Sequence, residues 1–474
     1  MLALSLLAGL YTLAFVVVFA ARFAYPFELE WEEGYSLQQV SRLSAGRALF
    51  VVPSLEFIPF PYPPLYFQVC AWAGALLGDG FVPLRVVSAL ASLAVGAVLW
   101  RWVARETASK AAGWIAAGLF LASYRAGGGW FDVARVDALF LFLSLLGAYT
   151  LHFARGQAGA VAAGLCFAAA FWTKQTGLVL AAGSILAAFA LDRRRALTAA
   201  GVFAAAAAAL AGGAHLSSEG WSSFYLFEVL ADHALDTEMI LGFWTRDVLG
   251  IGAGVSVVPA VALAVGACVL LRRSERPSRA PAYALLFASW SGAAWLSRAH
   301  SGGYDNVLLP MYCALALGCG LAVGAGRAPA WPALLALQFG LLMYAPQRLV
   351  PDELDLTAGR EFVARLERTP GEVFVPSHGY LAELAGKTGS AHRMGIADVL
   401  RSEDEAVRQA LIAEITAAIV QQRFALIALD VEWPTLDVLE EHYRFDGTPG
   451  WEADIFTPRS GVPHRPEYLY VPLD

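Results

Sequence analysis

Four carboxylates crowd into six residues at Glu28, Glu30, Glu32 and Glu33, beside Trp31 and Tyr35. Clustered acids repel one another and raise each other's pKa, which suits a general base poised against a hydroxyl. The bland alternative is a solvated acidic loop, with Glu28 and Glu30 as water-facing neighbours. A second group surrounds a glycine run: Arg125, Gly127 to Gly129, Trp130, Asp132, Arg135 and Asp137. Such Arg and Asp pairs make structural ion pairs or ligand contacts. Lys174 interrupts an apolar stretch in Thr173-Lys174-Gln175, and it is one of only three lysines, with Lys110 and Lys387. A lysine at hydrocarbon depth is costly unless it snorkels or binds an anion. Farther on, Arg298, His300, Tyr304, Asp305 and Asn306 form a polar hinge that runs into Pro310. Arg298 and His300 there suit an anionic ligand.

Other polar residues carry weaker signals. The segment 215–247 holds His215 and His233 near several acids, but their spacing matches no standard metal set. Its aromatic positions, Trp221, Phe224, Tyr225 and Phe227, predict an interfacial amphipathic helix. The five cysteines, Cys70, Cys166, Cys268, Cys313 and Cys319, all sit in apolar segments without metal-type spacing, which predicts buried free thiols.

The elements that must position these groups are set by composition. Of 474 residues, 58% are hydrophobic and 15% charged, and the mean hydropathy is +0.55. Soluble domains carry about 25% charged residues, so a soluble globular, disordered or disulfide-scaffold protein is excluded. A span needs about 20 apolar residues. Segments at 3–22, 82–102, 109–125, 137–154, 157–173, 176–191, 196–214, 248–271, 281–297, 306–325 and 329–346 are read as spans. Their connections alternate between short basic loops (Arg101–Lys110, Arg155, Arg193–Arg195, Arg272–Arg279 and Arg327) and longer mixed or acidic ones. The excess of Lys and Arg in cytoplasmic loops holds only if the apolar run 64–78, opened by Pro63 and Pro64, lies along the outer surface. The expected fold is therefore an all-α polytopic membrane protein of about eleven transmembrane helices plus outer-surface juxtamembrane helices, with the N-terminus inside. An abundance of Ala and Arg with few Lys points to a bacterial coding bias and hence to the inner membrane.

Residues 351–474 hold 22 of the 40 acids and 11 of the 33 bases, a net of −11, which leaves +4 on the first 350 residues. Two domains are expected: a transmembrane catalytic domain at 1–346 and an extracytoplasmic α/β domain at 351–474. Strand-like runs at 372–376 and 424–430 flank an amphipathic helix at 402–421, with no Gly-rich nucleotide turn after either strand.

In order and topological side, these motifs resemble the GT-C superfamily of polytopic glycosyltransferases, near the protein O-mannosyltransferase and lipid A aminoarabinose-transferase families. The resemblance covers roughly residues 1–345 and rests on Glu32-Glu33, Gly46 to Phe50, Tyr62-Pro63-Pro64-Leu65, Arg135-Val136-Asp137, Thr173-Lys174-Gln175 and Tyr304 to Pro310. It implies a glycosyltransferase that moves a sugar from a polyprenyl-phosphate donor to a hydroxyl of a cell-envelope glycan, lipid or protein at the outer membrane face. Glu32 would act as base, with Glu33 or Asp137 orienting the acceptor or the cations. Lys174, Arg135 and Arg298 would hold the phosphate, with Tyr62, Tyr304 and His300 at the binding site. Glu32 stands where the family commonly has Asp. Tyr62 replaces a lysine before Pro-Pro, so that phosphate contact passes to Lys174 or Arg298. No cofactor is assigned, a divalent cation is left open, and no nucleic-acid partner is expected.

The competing class is a polytopic transporter or flippase for a lipid-linked or anionic substrate. It predicts midplane polar residues, broken helices and internal repeats. The acids here lie at span ends, and the sequence shows no repeat.

Overall fold

The computed structural model describes residues 1–252, 254–273, 279–326, 328–431 and 438–473. The ends of the Arg272–Arg279 loop are described; residues 274–278 within it, and Arg327, lie outside the described residues. Helices dominate. They include α1 (Leu2–Arg22), α2 (Glu33–Ser44), α3 (Leu65–Leu77), α4 (Phe81–Thr107), α5 (Lys110–Ala122), α6 (Asp137–Phe153), α7 (Gly156–Phe171), α8 (Gly177–Phe189) and α9 (Arg193–Ser217). Later apolar helices run over Val258–Arg272, Arg279–Arg298, Leu309–Ala325 and Ala330–Leu341.

Each segment read as a span is helical over most of its length. Among the described residues four helices are long and apolar enough to cross a membrane unaided: α1, α4, α9 and Asp305–Ala325. A bent pair, Ala330–Leu341 with Pro346–Arg368, kinks by 49° and adds a fifth if taken as one span. Most of the others are shorter. The 13 residues of α5 rise about 20 Å, and the turns that follow it are buried again from Gly127 through Val136, after an exposed Arg125.

The chain divides into two compact units, each assembled from separated stretches. The first comprises Met1–Ala21, Arg85–Leu210 and Ala234–Gln347; the second comprises Arg22–Leu84, Ala211–His233 and Arg348–Asp474.

The first unit is a helical bundle. One face of α1 exposes Leu2, Leu6, Leu10, Leu13 and Val17 while Ala8, Tyr11, Phe15 and Val18 are buried. Leucine-rich exposed faces suit lipid, and helices in lipid associate through small residues that let backbones approach. Gly118 of α5 is such a residue: a Cβ there would lie 2.3 Å from Ala8 Cβ of α1. Longer-range ties add specificity: Tyr11 donates to Phe339 O at 2.7 Å, and Trp102 Nε1 donates to Tyr283 Oη at 2.9 Å.

The second unit holds α2, α3 and a four-stranded sheet. Its strands are β1 (Glu372–Phe374), β2 (Phe424–Leu429), β3 (Tyr443–Gly447) and β4 (Tyr468–Pro472), in the order β1-β2-β4-β3. The parallel pair is β1 with β2, in register at Val373 and Leu426; β4 runs antiparallel to both of its neighbours. A parallel pair requires a crossover, here carrying Gly379–Leu384, Arg393–Arg401 and Glu405–Val420. The last is the helix expected at 402–421, capped by Asp404, whose side chain accepts from Ala406 and Val407 N–H.

The tail does not fill its own core. Phe374, Ile396, Val399, Leu411, Ile415 and Ile427 pack with Leu55 and Ile58 of the first long loop and with Phe224, Tyr225 and Val229. The stretch expected as an interfacial helix is a short continuous helical run over 221–231 with a π-helical middle. Phe224 and Tyr225 of this run are buried in the core and Trp221 packs against it, while Phe227 is exposed. Cys70, Cys313 and Cys319 are buried free thiols, and Cys166 and Cys268 are half-buried ones.

Candidate functional site

In the second unit, the acidic turn feeds directly into α2, with Glu32 at its N-cap and Glu33 as its first residue. Negative charge is favoured at a helix N-terminus. All four acids are buried, including Glu28 and Glu30, so the solvated reading of those two is corrected. Burial is tolerated because backbone donors wrap the carboxylates. Leu29 N–H donates to Glu33 Oε2 at 2.6 Å. Glu32 N–H donates to Glu30 Oε2 at 3.2 Å, and Gly34 N–H to Glu28 Oε1 at 2.8 Å.

A charged partner supports the turn. Glu28 Oε2 pairs with Nδ1 of His378, whose Nε2 lies 3.2 Å from Asp430 Oδ2. Burial lifts the Glu28 carboxyl to about 7, against the pull of His378. Burial disfavours the His378 imidazolium, but Asp430 and Glu28 outweigh it and raise its pKa to about 10. Asp430 is buried too, yet His378 holds its carboxyl below the usual range.

Aromatic rings complete this region. Tyr35 stacks on Phe60 at 4.1 Å and on His392 at 4.6 Å, and its hydroxyl donates to Pro59 O at 2.8 Å. Tyr62 is half-exposed and tilts against Phe60 at 4.8 Å.

In the first unit, Asp137 opens α6 and Lys174 occupies the break between α7 and α8. Lys174 Nζ lies 2.6 Å from Asp137 Oδ1, and Asn306 Nδ2 donates to the same oxygen at 3.1 Å. Asp137 Oδ2 is buried and accepts no hydrogen bond among the described residues, a state that buried carboxylate oxygens seldom keep without a ligand or water. Arg135 is buried two residues before it, and its carbonyl accepts from Ser88 Oγ at 3.3 Å. Asp132 accepts from the Tyr124 hydroxyl at 2.7 Å, a structural tie.

Arg298 is committed to carboxylates. It contacts Asp247 through Nε at 2.9 Å and Nη2 at 3.2 Å. The same Nη2 reaches Asp305 Oδ1 at 2.9 Å, while Nη1 donates to Gly303 O at 2.8 Å. Arg246 also pairs with Asp305 Oδ1 at 2.8 Å. Two arginines and two aspartates leave this cluster formally neutral. His300 sits beside it with Nδ1 3.1 Å from Ser301 O, and Tyr304 caps the short helix Asp305–Leu308.

An apolar groove of about 1010 Å³ opens among the helices Val258–Arg272, Arg279–Arg298 and Leu309–Ala325. Trp244, Val265, Phe287, Trp295 and Leu315 line it. Trp244 and Trp295 lie within one helical turn in sequence of Arg246 and Arg298, so the apolar channel adjoins the charged cluster. Among the described residues, no group of three or more His, Cys, Asp or Glu is placed to hold a metal ion.

The pairing of Asp137 with Lys174 joins two residues that sequence reasoning singled out separately. It missed Asp247, His378 and Asp430, and it did not foresee that Glu28 is the partner of the last two. Asp305 and Asn306 were visible in the polar hinge, whereas nothing local marks His378 or Asp430.

Comparison with known proteins now gives this geometry a class. Residues 62–217 match the family model described as dolichyl-phosphate-mannose-protein mannosyltransferase. The chain is similar in structure to ArnT from Cupriavidus metallidurans bound to undecaprenyl phosphate, with 15% identity, 92% of this chain and 84% of that chain covered, and a TM-score of 0.54. It is also similar to the archaeal oligosaccharyltransferase AglB from Archaeoglobus fulgidus in complex with an inhibitory peptide and a dolichol-phosphate. There the identity is 13%, the coverage 98% of this chain and 76% of that chain, and the TM-score 0.52. A second structure of the Archaeoglobus fulgidus oligosaccharyltransferase, tethered to an acceptor peptide, matches at 13% identity over 93% of this chain and 72% of that chain, with a TM-score of 0.54. No curated protein sequence matches the chain. The chain shares the fold of these solved structures, a GT-C-like fold.

Proposed function

We propose that this protein transfers a sugar from a polyprenyl-phosphate donor to a hydroxyl of a cell-envelope glycan, lipid or protein at the outer face of a bacterial inner membrane. The observation that carries the reading is the apolar groove beside the arginine cluster, in a bundle of GT-C fold. A polyprenyl chain needs an apolar channel, and its phosphate needs cations where that channel ends. Arg246, partly exposed beside the groove-lining Trp244, joins the phosphate contacts expected from Lys174, Arg135 and Arg298.

Glu32 is assigned the base. It takes the proton of the acceptor hydroxyl as that oxygen bonds to the anomeric carbon. The bond from that carbon to the phosphate oxygen breaks, and polyprenyl phosphate leaves with the electron pair. The leaving charge is stabilised by preorganised cations, which act most strongly in a dry site. Asp137, through its open Oδ2, orients a hydroxyl, and Glu33 holds the turn. Tyr62, Tyr304 and His300 are assigned to substrate contact. Residues 351–474 are assigned to the extracytoplasmic side.

The test is mass spectrometry of envelope glycans and lipid-linked sugars from cells with and without the protein. The expected result is loss of one sugar modification with accumulation of its polyprenyl-phosphate precursor. Unchanged profiles for both classes would overturn the reading.

A further inference from the structure

The tail reaches the acidic turn at several points over a few residues. His378 follows β1 and Asp430 follows β2, so both stand at the carboxyl ends of the two parallel strands. That is where open α/β sheets present ligand-binding groups. Here the occupant is the chain's own Glu28, 350 residues away from His378. His378 is itself held by backbone: its N–H donates to Val375 O at 3.0 Å, and Arg393 N–H bonds Pro376 O at 2.7 Å. Two residues on, the Tyr380 hydroxyl accepts from Glu28 N–H at 3.2 Å. Ser460 N–H donates to Leu29 O at 2.9 Å, and Glu30 forms a parallel bridge with Ser460. Packing leaves no slack at Gly34, where a Cβ would lie 2.4 Å from Tyr380 Cδ1 and 2.5 Å from Glu28 Oε1.

We infer that His378, supplied by the tail, is a positioning residue for the proposed base: it fixes Glu28, Glu28 closes on Gly34, and that closure sets Glu32 and Glu33 at the start of α2. The inference rests on the assignment of Glu32 as base. It makes the tail a working part of the reaction, not an appendage. The charged and titratable groups around His378 are Glu28, Asp430 and Tyr380, with His464 3.9 Å from Asp430, Glu33 acting on Glu28, and Arg393 and Arg465 nearby. Nδ1 faces Glu28 and Nε2 faces Asp430, so the two links can be cut separately. Asn can place a donor where Nδ1 stands, and Gln where Nε2 stands.

The experiment measures transfer by purified full-length His378→Ala, His378→Gln and His378→Asn, with size-exclusion and thermal-unfolding controls. Displacing a catalytic group by about 1 Å costs up to about 10²-fold. The expected result is a kcat drop of about 10- to 100-fold in Ala and Gln, partial recovery in Asn, and donor KM within about twofold of wild type. The acid limb of the kcat profile moves to higher pH, because losing a nearby positive charge makes a carboxylate harder to ionise. Folded variants with wild-type kcat and an unmoved profile would overturn the inference. If the His378 variants do not fold, the nearly isosteric Glu28→Gln tests the same link, and wild-type kcat there is the contrary result. Inactive wild-type protein, or full turnover in Glu32→Gln, defeats the assigned reaction instead. An active wild type with a dead Glu32→Gln and fully active Glu28→Gln and His378 variants defeats only the positioning role.

Discussion

Lys174 Nζ and Asp137 Oδ1 stand 2.6 Å apart, with both side chains less than a tenth exposed. They join the start of α6 to the break between α7 and α8. Removing one member of a buried pair costs about 3–5 kcal/mol, because the other charge is left uncompensated. Lys174→Ala is therefore expected to lower thermal stability and to weaken donor binding more than Lys174→Arg, which keeps the charge without the compact ammonium. Binding of a polyprenyl-phosphate sugar to the purified variants checks this. Wild-type donor affinity in both would reduce Lys174 to a structural tie with Asp137.

The groove offers a substitution that leaves the charged residues alone. At Gly292, one of its lining residues, a Cβ would meet nothing within 4 Å. Gly292→Trp should fit the backbone and fill the channel. The expected effect is a KM for long-chain polyprenyl donors raised about tenfold, with little change for a short-chain donor. Burying several apolar carbons fewer is worth at least the roughly 1.4 kcal/mol that tenfold represents. Equal KM values for long donors in wild type and variant would place the lipid chain elsewhere.

Topology is testable at exposed positions. In a background with all five cysteines replaced, Arg194→Cys should resist a membrane-impermeant thiol reagent in intact cells. Glu361→Cys should react. Arg194 keeps its basic neighbours Arg193 and Arg195, so the positive-inside signal survives the change. Reversed labelling would invert the side assigned to the tail.

The buried trio gives the second unit a pH signature with a definite sign. The pKa of His378 is raised in the folded state from 6.5 to about 10, so its stabilising contribution is complete below 6.5 and is lost as pH rises through about 10. Glu28, raised from 4.5 to about 7, works in the same direction over a lower window. Asp430, held low, contributes the opposite slope only below its ordinary value of 3.8. The thermal midpoint should therefore fall as pH increases from about 6.5 to 10, and His378→Gln should flatten that slope. A wild-type midpoint that is flat or rises over that interval would contradict the charged His378.

What could be read in advance follows from which interactions are local. Apolar runs bounded by basic loops gave helices such as α6 and α9 within a few residues, because a span is fixed by its own composition. Strands β1 and β2 were legible as apolar runs. Strands β3 and β4 were not: Tyr443–Gly447 has one buried residue among exposed ones, and Tyr468–Pro472 ends in a proline. The Glu28–His378 pairing spans 350 residues and the Arg298–Asp247 contact 51, and no periodicity encodes either. Glu28 and Glu30 read as solvated because isolated acids prefer water. The backbone donors that make burial acceptable exist only once the turn has folded.

The assignment of Glu32 as base leads to the sharpest comparison within the turn. Positioned general bases contribute about 10²–10⁴-fold. Glu32→Gln is nearly isosteric and keeps an acceptor oxygen, but it cannot take the proton. It should lose most turnover while the protein still inserts, folds and binds donor. Glu33→Gln should fall between this variant and wild type, since Glu33 Oε2 holds Leu29 N–H and an amide oxygen can keep part of that bond. Glu30→Gln should cost least, because Glu30 Oε2 accepts the Glu32 N–H at 3.2 Å, and an amide oxygen can do the same. Glu28→Gln should cost more than Glu30→Gln, because it also loses the ionic link to His378. Transfer from a polyprenyl-phosphate sugar, measured beside donor binding, separates these cases. Near-normal turnover in Glu32→Gln would remove it as the base. If Glu33→Gln were also silent, the role would pass to Asp137, whose Oδ2 is buried and accepts no hydrogen bond among the described residues.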